Sequence, residues 1–431
     1  MSERKTIYLC LAHMSEEGWE QKYVKEAFDT NWVVPMGPNV NEFEKSLEKF
    51  VNHSLNDNDN LDRKVVCLSA GTAAVHLALI ACGVKAGDEV LVQSYTFCAS
   101  SHPITYLGAK PVFVGSERET WNMDPELLEE AIKDRIAKTG KKPKAIVPVA
   151  LYGMPYRIDR IMEIADRYGI PVVEDAAEGM GSRFNGQVLG TFGKYGVLSF
   201  NGNKMITTSG GGALICRSEE EANEIMWYAT QARDAYPYYQ HTAIGYNYRM
   251  SNVCAGIGRG QMTIVNDHIA HHKHVQKLYE ELLKDVPGVH LHSQPSRIGE
   301  LENVFDSNYW LCAATLDPEV RIQGQENAYK EVINTAVGGA AGVIHQVESV
   351  TTDCQPNENV EALRVFMLGK KIEARPTWKP MHKQPVYAGA AVYTNGIEES
   401  LFKVGMCLPS GPYVTDEDVR YIVDCIKEAM E

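Results

Sequence analysis

One amine, that of Lys204, sits in the stretch Ser199-Phe200-Asn201-Gly202-Asn203-Lys204-Met205-Ile206-Thr207-Thr208-Ser209-Gly210-Gly211-Gly212, after an apolar strand expected over Gly196 to Phe200 and ahead of a glycine run. Two chemistries are open to such a lysine. In a loop it is ordinarily a solvated cation. Where burial or neighbours tune it, its amine can form a Schiff base with a carbonyl cofactor. The choice rests on the residues around it.

The first companion is Ile170-Pro171-Val172-Val173-Glu174-Asp175, a β-branched run ending in acids. It reads as a buried parallel strand that presents Asp175 at its carboxyl end, where open α/β sheets bind ligands. A carboxylate there either caps the helix that follows or holds the ring nitrogen of pyridoxal phosphate protonated, so that the ring can accept electrons. The second companion runs from Val65-Val66-Cys67-Leu68 through Ser69-Ala70-Gly71-Thr72 into the apolar segment Ala73-Ala74-Val75-His76-Leu77-Ala78-Leu79. A strand, a small-residue turn and a helix in that order either simply start a helix or aim backbone N–H groups and the Thr72 hydroxyl at an anion such as a phosphate. Ser199 is a candidate for a further phosphate donor. Phe97, in Ser94-Tyr95-Thr96-Phe97, is either a core aromatic or a stacker for a flat ring.

These motifs, with Asn31-Trp32-Val33-Val34-Pro35-Met36-Gly37-Pro38, Glu174-Asp175-Ala176-Ala177-Glu178 and Gly245-Tyr246-Asn247-Tyr248-Arg249-Met250, resemble the sugar-nucleotide aminotransferases of the DegT/DnrJ/StrS type over nearly the whole chain. The resemblance implies a fold-type I pyridoxal 5'-phosphate enzyme: a large α/β domain with a mainly parallel sheet between helices, and a smaller C-terminal α+β domain. It also implies roles. Lys204 is the Schiff-base lysine, Asp175 the partner of the ring nitrogen, Phe97 the ring stacker, and Glu178 a neighbour of the ring hydroxyl. Gly71, Thr72 and Ser199 hold the phosphate, with Asn247 reaching over from the second subunit of a homodimer. Glu178 departs from many relatives, which carry glutamine there.

The wording Asn201 to Gly212, with Arg375-Pro376-Thr377-Trp378-Lys379-Pro380-Met381-His382 and Leu408-Pro409-Ser410-Gly411, is most similar to the branch that aminates UDP-4-keto-6-deoxy-N-acetylhexosamines for bacillosamine-like and legionaminic-acid-like sugars. The amino donor implied is glutamate. Arg249 and Arg375 are candidate cations for the diphosphate or the donor carboxylate, because guanidinium forks suit both. Trp378 and His382 are candidate contacts to the nucleotide-sugar. Each of the four has an alternative as an intersubunit or core residue. Two rivals share the fold: a dehydratase, which would carry histidine in place of Lys204, and a module that binds the cofactor or sugar without chemistry. A third rival, a nicotinamide oxidoreductase, would need a glycine fingerprint opening a helix after the first strand; none is seen there, and Ser209 to Gly212 precedes a strand instead of opening a helix.

The elements that must position these groups follow from the chain as a whole. With 431 residues and 44% hydrophobic content, it is long enough for two domains, expected over 1–264 and 265–431. A net charge of −14 speaks against general nucleic-acid or anionic-membrane binding. Met1 to Met14 reads as neither signal peptide nor membrane span. The ten cysteines are scattered without a C-x-x-C pair, as buried thiols in a reducing, cytoplasmic setting.

Strand candidates Val65 to Leu68, Val90 to Gln93, Pro111 to Val114, Ala145 to Val149 and Val172 to Glu174 alternate with helical patterns, as a covered parallel sheet requires. Phe43, Leu47, Phe50 and Val51 predict an amphipathic helix. His268, His271, His272 and His274 are read as part of a long exposed helix and not as metal ligands. Residues 323–358 read as an insertion with a turn near Val337 to Gly342. Thr415 with Asp418 predicts a capping box on a packed closing helix.

Overall fold

The computed structural model describes residues 4–55, 61–329 and 354–431. Most of the insertion expected over 323–358, including Val337 to Gly342, lies outside them. The strands β1 (Lys64–Leu68), β2 (Glu89–Gln93), β3 (Lys110–Val114), β4 (Ala145–Val147), β5 (Val173–Asp175), β6 (Tyr195–Ser199) and β7 (Gly212–Cys216) form one sheet in the order β1-β7-β6-β5-β4-β2-β3, with Ala391–Tyr393 beside β3. Parallel bridges Ile146–Val172 and Val149–Asp175 join its two halves. Every pairing from β6 to Ala391–Tyr393 is parallel, while β7 runs antiparallel to both β6 and β1.

The near-continuous apolar strands follow from burial on both faces. Val65, Cys67, Leu91, Val112 and Ile146 pack into one core, and their neighbours Val66, Leu68, Val90, Phe113 and Val147 pack into another on the opposite face. Helix α1 (Trp19–Asp29) packs against the helix Asn252–Met262, and helix α2 (Pro38–Val51) lies on the first of these faces, starting with Pro38 in its first turn. From α2, Glu48 accepts from the Val65 N–H at 3.1 Å and Glu44 from the Cys67 N–H at 2.9 Å. These carboxylates occupy backbone donors that an edge strand would otherwise expose.

A separate core gathers Val275, Tyr279, Val289, Met406 and Ile426 around the antiparallel set Val289–Leu291, Cys312–Leu316, Gly405–Leu408 and Arg375–Pro376. The helix Val265–Leu283 serves both bodies: Val265 and Ile269 pack with the first core, Val275 and Leu283 with the second. The expected boundary at 265 therefore falls on a helix that bridges two cores. The chain also crosses back, since Ile7 pairs with Ile372 and Ala391–Tyr393 joins the first sheet. The same helix is not an exposed one, because His268 and His272 are buried on its inner face. Among the described residues, no group of three or more histidines, cysteines or acids could hold a metal ion, and no helix is long and apolar enough to cross a membrane. Thr415 and Asp418 close the reciprocal capping box of Asp416–Met430.

Candidate active site

A cavity of about 290 Å³ opens where the carboxyl ends of β5 and β6 meet the start of α3 (Gly71–Ala81). Ala70, the residue before α3, is extended and supplies no side-chain cap. The first bond of the helical ladder is Ala74 N–H to Ala70 C=O at 3.2 Å, so the N–H groups ahead of it lie outside the ladder, and Gly71 and Thr72 line the cavity. A Cβ added to Gly71 would lie 3.3 Å from Ser199 Oγ on the opposite wall, and one on Gly212 would overlap the Gly71 nitrogen. Backbone donors thus come within reach of a bound anion because side chains are absent there. The cup fits a phosphate.

The last two residues of β5 separate by the period of the strand. Glu174 points away and accepts from the N–H groups of Gly190, Phe192 and Gly193, holding the turn that leads into β6. Asp175 points into the cavity, where Ser100 Oγ–H donates to Oδ2 at 2.6 Å and the Ala177 N–H donates to Oδ1 at 3.1 Å. Burial pushes its carboxyl above the usual range, against those two hydrogen bonds and the Lys204 charge. A buried carboxylate of this kind suits a cationic ring N–H.

Glu178 accepts from the Tyr152 N–H at 2.7 Å and from Lys204 Nζ at 3.4 Å. Burial raises its carboxyl too, with the Lys204 charge as the main opposing influence. Tyr152 adopts φ 55, a left-handed conformation rare outside glycine and asparagine, and this directs its N–H at Glu178. The side chain of Lys204 is only 12% exposed, and its Nζ lies 3.9 Å above the centre of the Trp310 ring. The turn carrying it is tied by Lys204 N–H to Asn201 C=O, Trp310 Nε1–H to Asn203 C=O, and Ala12 N–H to Gly202 C=O. Lys204 is thus no solvated loop cation. Phe97 is half exposed at the rim, 5.4 Å from the Trp378 ring, so it is a wall of the cavity and not a core aromatic.

Lys204, Asp175, Glu178, Gly71, Thr72, Ser199, Phe97 and Trp378 therefore share one cavity. Four other candidates lie outside it. Asn247 is exposed and bridges to Thr230. Arg249 bridges to Leu68, and its charge bears on Glu44 behind β1. Arg375 donates through Nε to Glu373 at 2.9 Å. His382 engages Ser94 Oγ through Nδ1 at 2.7 Å and Glu399 through Nε2 at 3.1 Å, so both ring nitrogens are taken by the protein. Sequence reasoning missed Ser100, Tyr152 and Trp310. Ser100 stands three residues after Phe97 and carried a usable signal; the other two are brought in by contacts remote in the chain.

Residues 14–336 and 325–427 match the DegT/DnrJ/EryC1/StrS aminotransferase family. EpsN of Bacillus subtilis (strain 168), whose name assigns it provisionally to the pyridoxal phosphate-dependent aminotransferases, is 38% identical over 426 residues, spanning 98% of this chain and 95% of its own. The GDP-perosamine synthase of Escherichia coli O157:H7 is 32% identical over 421 residues, 98% of each chain. Among solved structures, a DegT DnrJ EryC1 StrS aminotransferase from Brucella abortus superimposes with a TM-score of 0.78 at 25% identity over 96% of each chain.

Proposed function

This chain belongs to the DegT/DnrJ/EryC1/StrS aminotransferase family and is a pyridoxal 5'-phosphate-dependent sugar aminotransferase of fold type I, and from that premise we propose that it moves an amino group from L-glutamate to carbon 4 of a UDP-4-keto-6-deoxy-N-acetylhexosamine. The observation that carries the residue assignment is the convergence of Lys204 Nζ, the Asp175 carboxylate and the leading N–H groups of α3 on one cavity.

When bound, pyridoxal phosphate supplies a carbonyl that exchanges with amines and a ring that holds the electron pair left when a C–H bond breaks. In the proposed reading the protein does the rest. Gly71, Thr72 and Ser199 hold the phosphate, and Phe97 covers the ring face. Asp175 keeps a proton on the ring nitrogen, with Ser100 holding the carboxylate in place. Glu178 stands beside the ring hydroxyl. Lys204 would hold the cofactor through Nζ and, once freed, would move the proton at Nζ: off the donor carbon in the first half and the opposite way, onto the sugar carbon, in the second. Asn247, exposed and outside its own chain's cavity, serves the cavity of a second copy in a homodimer. Arg249, held behind β1, and Arg375, paired with Glu373, are left as weaker candidates for the diphosphate.

The test is a visible absorption spectrum of the purified protein on adding L-glutamate and then the UDP-linked keto sugar. A yellow band bleached by glutamate and restored by the sugar supports both halves of the proposal. Bleaching without restoration by that sugar would discard the substrate. Lys204→Ala retains cofactor and makes no amino sugar; turnover near the parent rate would refute its role. A second reading is a GDP-linked 4-keto sugar. It is favoured by the full-length similarity to a GDP-perosamine synthase, and restoration of the band by the GDP-linked compound alone would select it.

A further inference from the structure

We propose that Trp310 is a positioning residue whose indole face docks the free amine of Lys204 between its turns of proton transfer. This rests on the reading of Lys204 as the working amine. Its Nζ lies 3.9 Å from the Trp310 ring centre, in the range of a cation over an aromatic face. Trp310 is 1% exposed, so water does not compete from that side. Glu178 Oε1, at 3.4 Å, is longer than a strong charge-assisted bond and does not fix the amine alone. Two further groups feel the Lys204 charge: Asp175, whose oxygens are taken by Ser100 Oγ–H and the Ala177 N–H, and Cys10, which burial pushes up to about 12 so that it stays an uncharged thiol. The indole is therefore the second wall of the dock.

The indole is itself held from several directions. Its Nε1–H donates to Asn203 C=O at 2.7 Å, the residue just before the lysine. Its backbone N–H donates to Asn308 Oδ1 at 2.8 Å, and its carbonyl accepts from Ser410 Oγ–H at 2.8 Å. Asn308 Nδ2–H in turn donates to the carbonyls of Glu178 and Met180, each at 2.9 Å. One arch thus sets the lysine turn, the Glu178 loop and the indole relative to each other. An amine that must leave a carbonyl, move a proton and return swings on a four-carbon stem. A dock at one end of that swing removes unproductive rotamers before the proton moves.

The experiment measures acylation of Lys204 by an amine-reactive ester in the full-length protein dialysed free of cofactor, read by peptide mass spectrometry and normalised to exposed Lys25. Trp310→Phe keeps an aromatic face and is expected to label within about twofold of the parent. Trp310→Leu removes it and is expected to label about fivefold faster, equivalent to about 1 kcal/mol. If Trp310→Leu does not fold, mono- and tetrafluorinated tryptophan installed at position 310 keep the shape and the N–H while weakening the face, and the rate should rise with each step. Equal rates in the parent, Trp310→Leu and the tetrafluorinated protein would overturn the dock. So would Trp310→Phe labelling as fast as Trp310→Leu, since the tie to Asn203 would then be the cause. Labelling does not depend on turnover, so an active Lys204→Ala protein would sink the catalytic assignment separately.

Discussion

The N–H of Tyr152 donates to Glu178 Oε2 at 2.7 Å while the hydroxyl of the same tyrosine accepts from the Trp378 N–H at 2.8 Å, so one residue in a left-handed turn holds an acid on one side of the cavity and an aromatic wall on the other. The neighbouring Gly153 also has positive φ, 93, and a side chain there would overlap Asn308. The two sides of the site are thus spaced by a short turn between β4 and β5.

Tyr152→Phe should leave the bond to Glu178 intact and orphan the Trp378 N–H. The expected cost is about 1–3 kcal/mol in chemical denaturation, with a raised KM for the sugar and a kcat near the parent value. An unchanged KM would show that Trp378 is placed by other contacts.

Ser100→Ala removes the 2.6 Å donor from Asp175. A hydrogen bond to a charged group contributes about 1.5–3 kcal/mol, so cofactor affinity measured by fluorescence titration should fall about tenfold or more, and kcat with it. Asp175→Asn should lose more than Ser100→Ala. Parent-like values in Ser100→Ala would mean that the Ala177 N–H alone suffices.

Glu44 makes stability depend on pH in a predictable direction. Burial pushes its carboxyl up to about 7, with the Cys67 N–H and the Arg249 charge opposing. A raised carboxyl binds its proton more tightly when folded, so its effect on stability is least adverse below about 4.5 and grows as pH rises to about 7. Glu44→Gln keeps an acceptor for Cys67 without the charge. Its stability relative to the parent should increase over that window, by about 3 kcal/mol at most, and then level off. A difference independent of pH would show that Glu44 is not a buried, titrating group.

His272 acts in the opposite sense. Burial lowers it to about 3 from an ordinary 6.5, and its Nδ1–H donates to the Tyr309 carbonyl at 3.2 Å, next to Trp310. The folded state therefore favours the neutral ring. Its contribution is complete above about 6.5 and is lost as pH falls towards about 3, at about 1.4 kcal/mol per pH unit. In His272→Gln, denaturation midpoints between pH 7 and pH 5 should fall less steeply than in the parent. An identical slope would place the acid sensitivity elsewhere.

Much of the site was legible because its chemistry is written in short segments. Gly71 and Thr72 follow a strand and open a helix, Asp175 ends a β-branched run, and Lys204 follows the next strand, so each group sits at an element end that its own neighbours dictate. The alternation of Val65 with Val66 and Leu91 with Val90 between two cores likewise follows from a covered sheet.

What the sequence by itself determined is therefore a parallel α/β frame and the residues at its carboxyl edge. Local periodicity and turn chemistry act over a few residues, and these features need no more. Tertiary structure alone decided that β7 runs antiparallel, that His268 and His272 face inward, and that His382 and Arg375 are engaged by Glu399 and Glu373. It also decided that Trp310, more than a hundred residues beyond Lys204, lies beneath that amine. Such pairings depend on which apolar faces the whole chain buries together, and no short stretch of sequence contains that information.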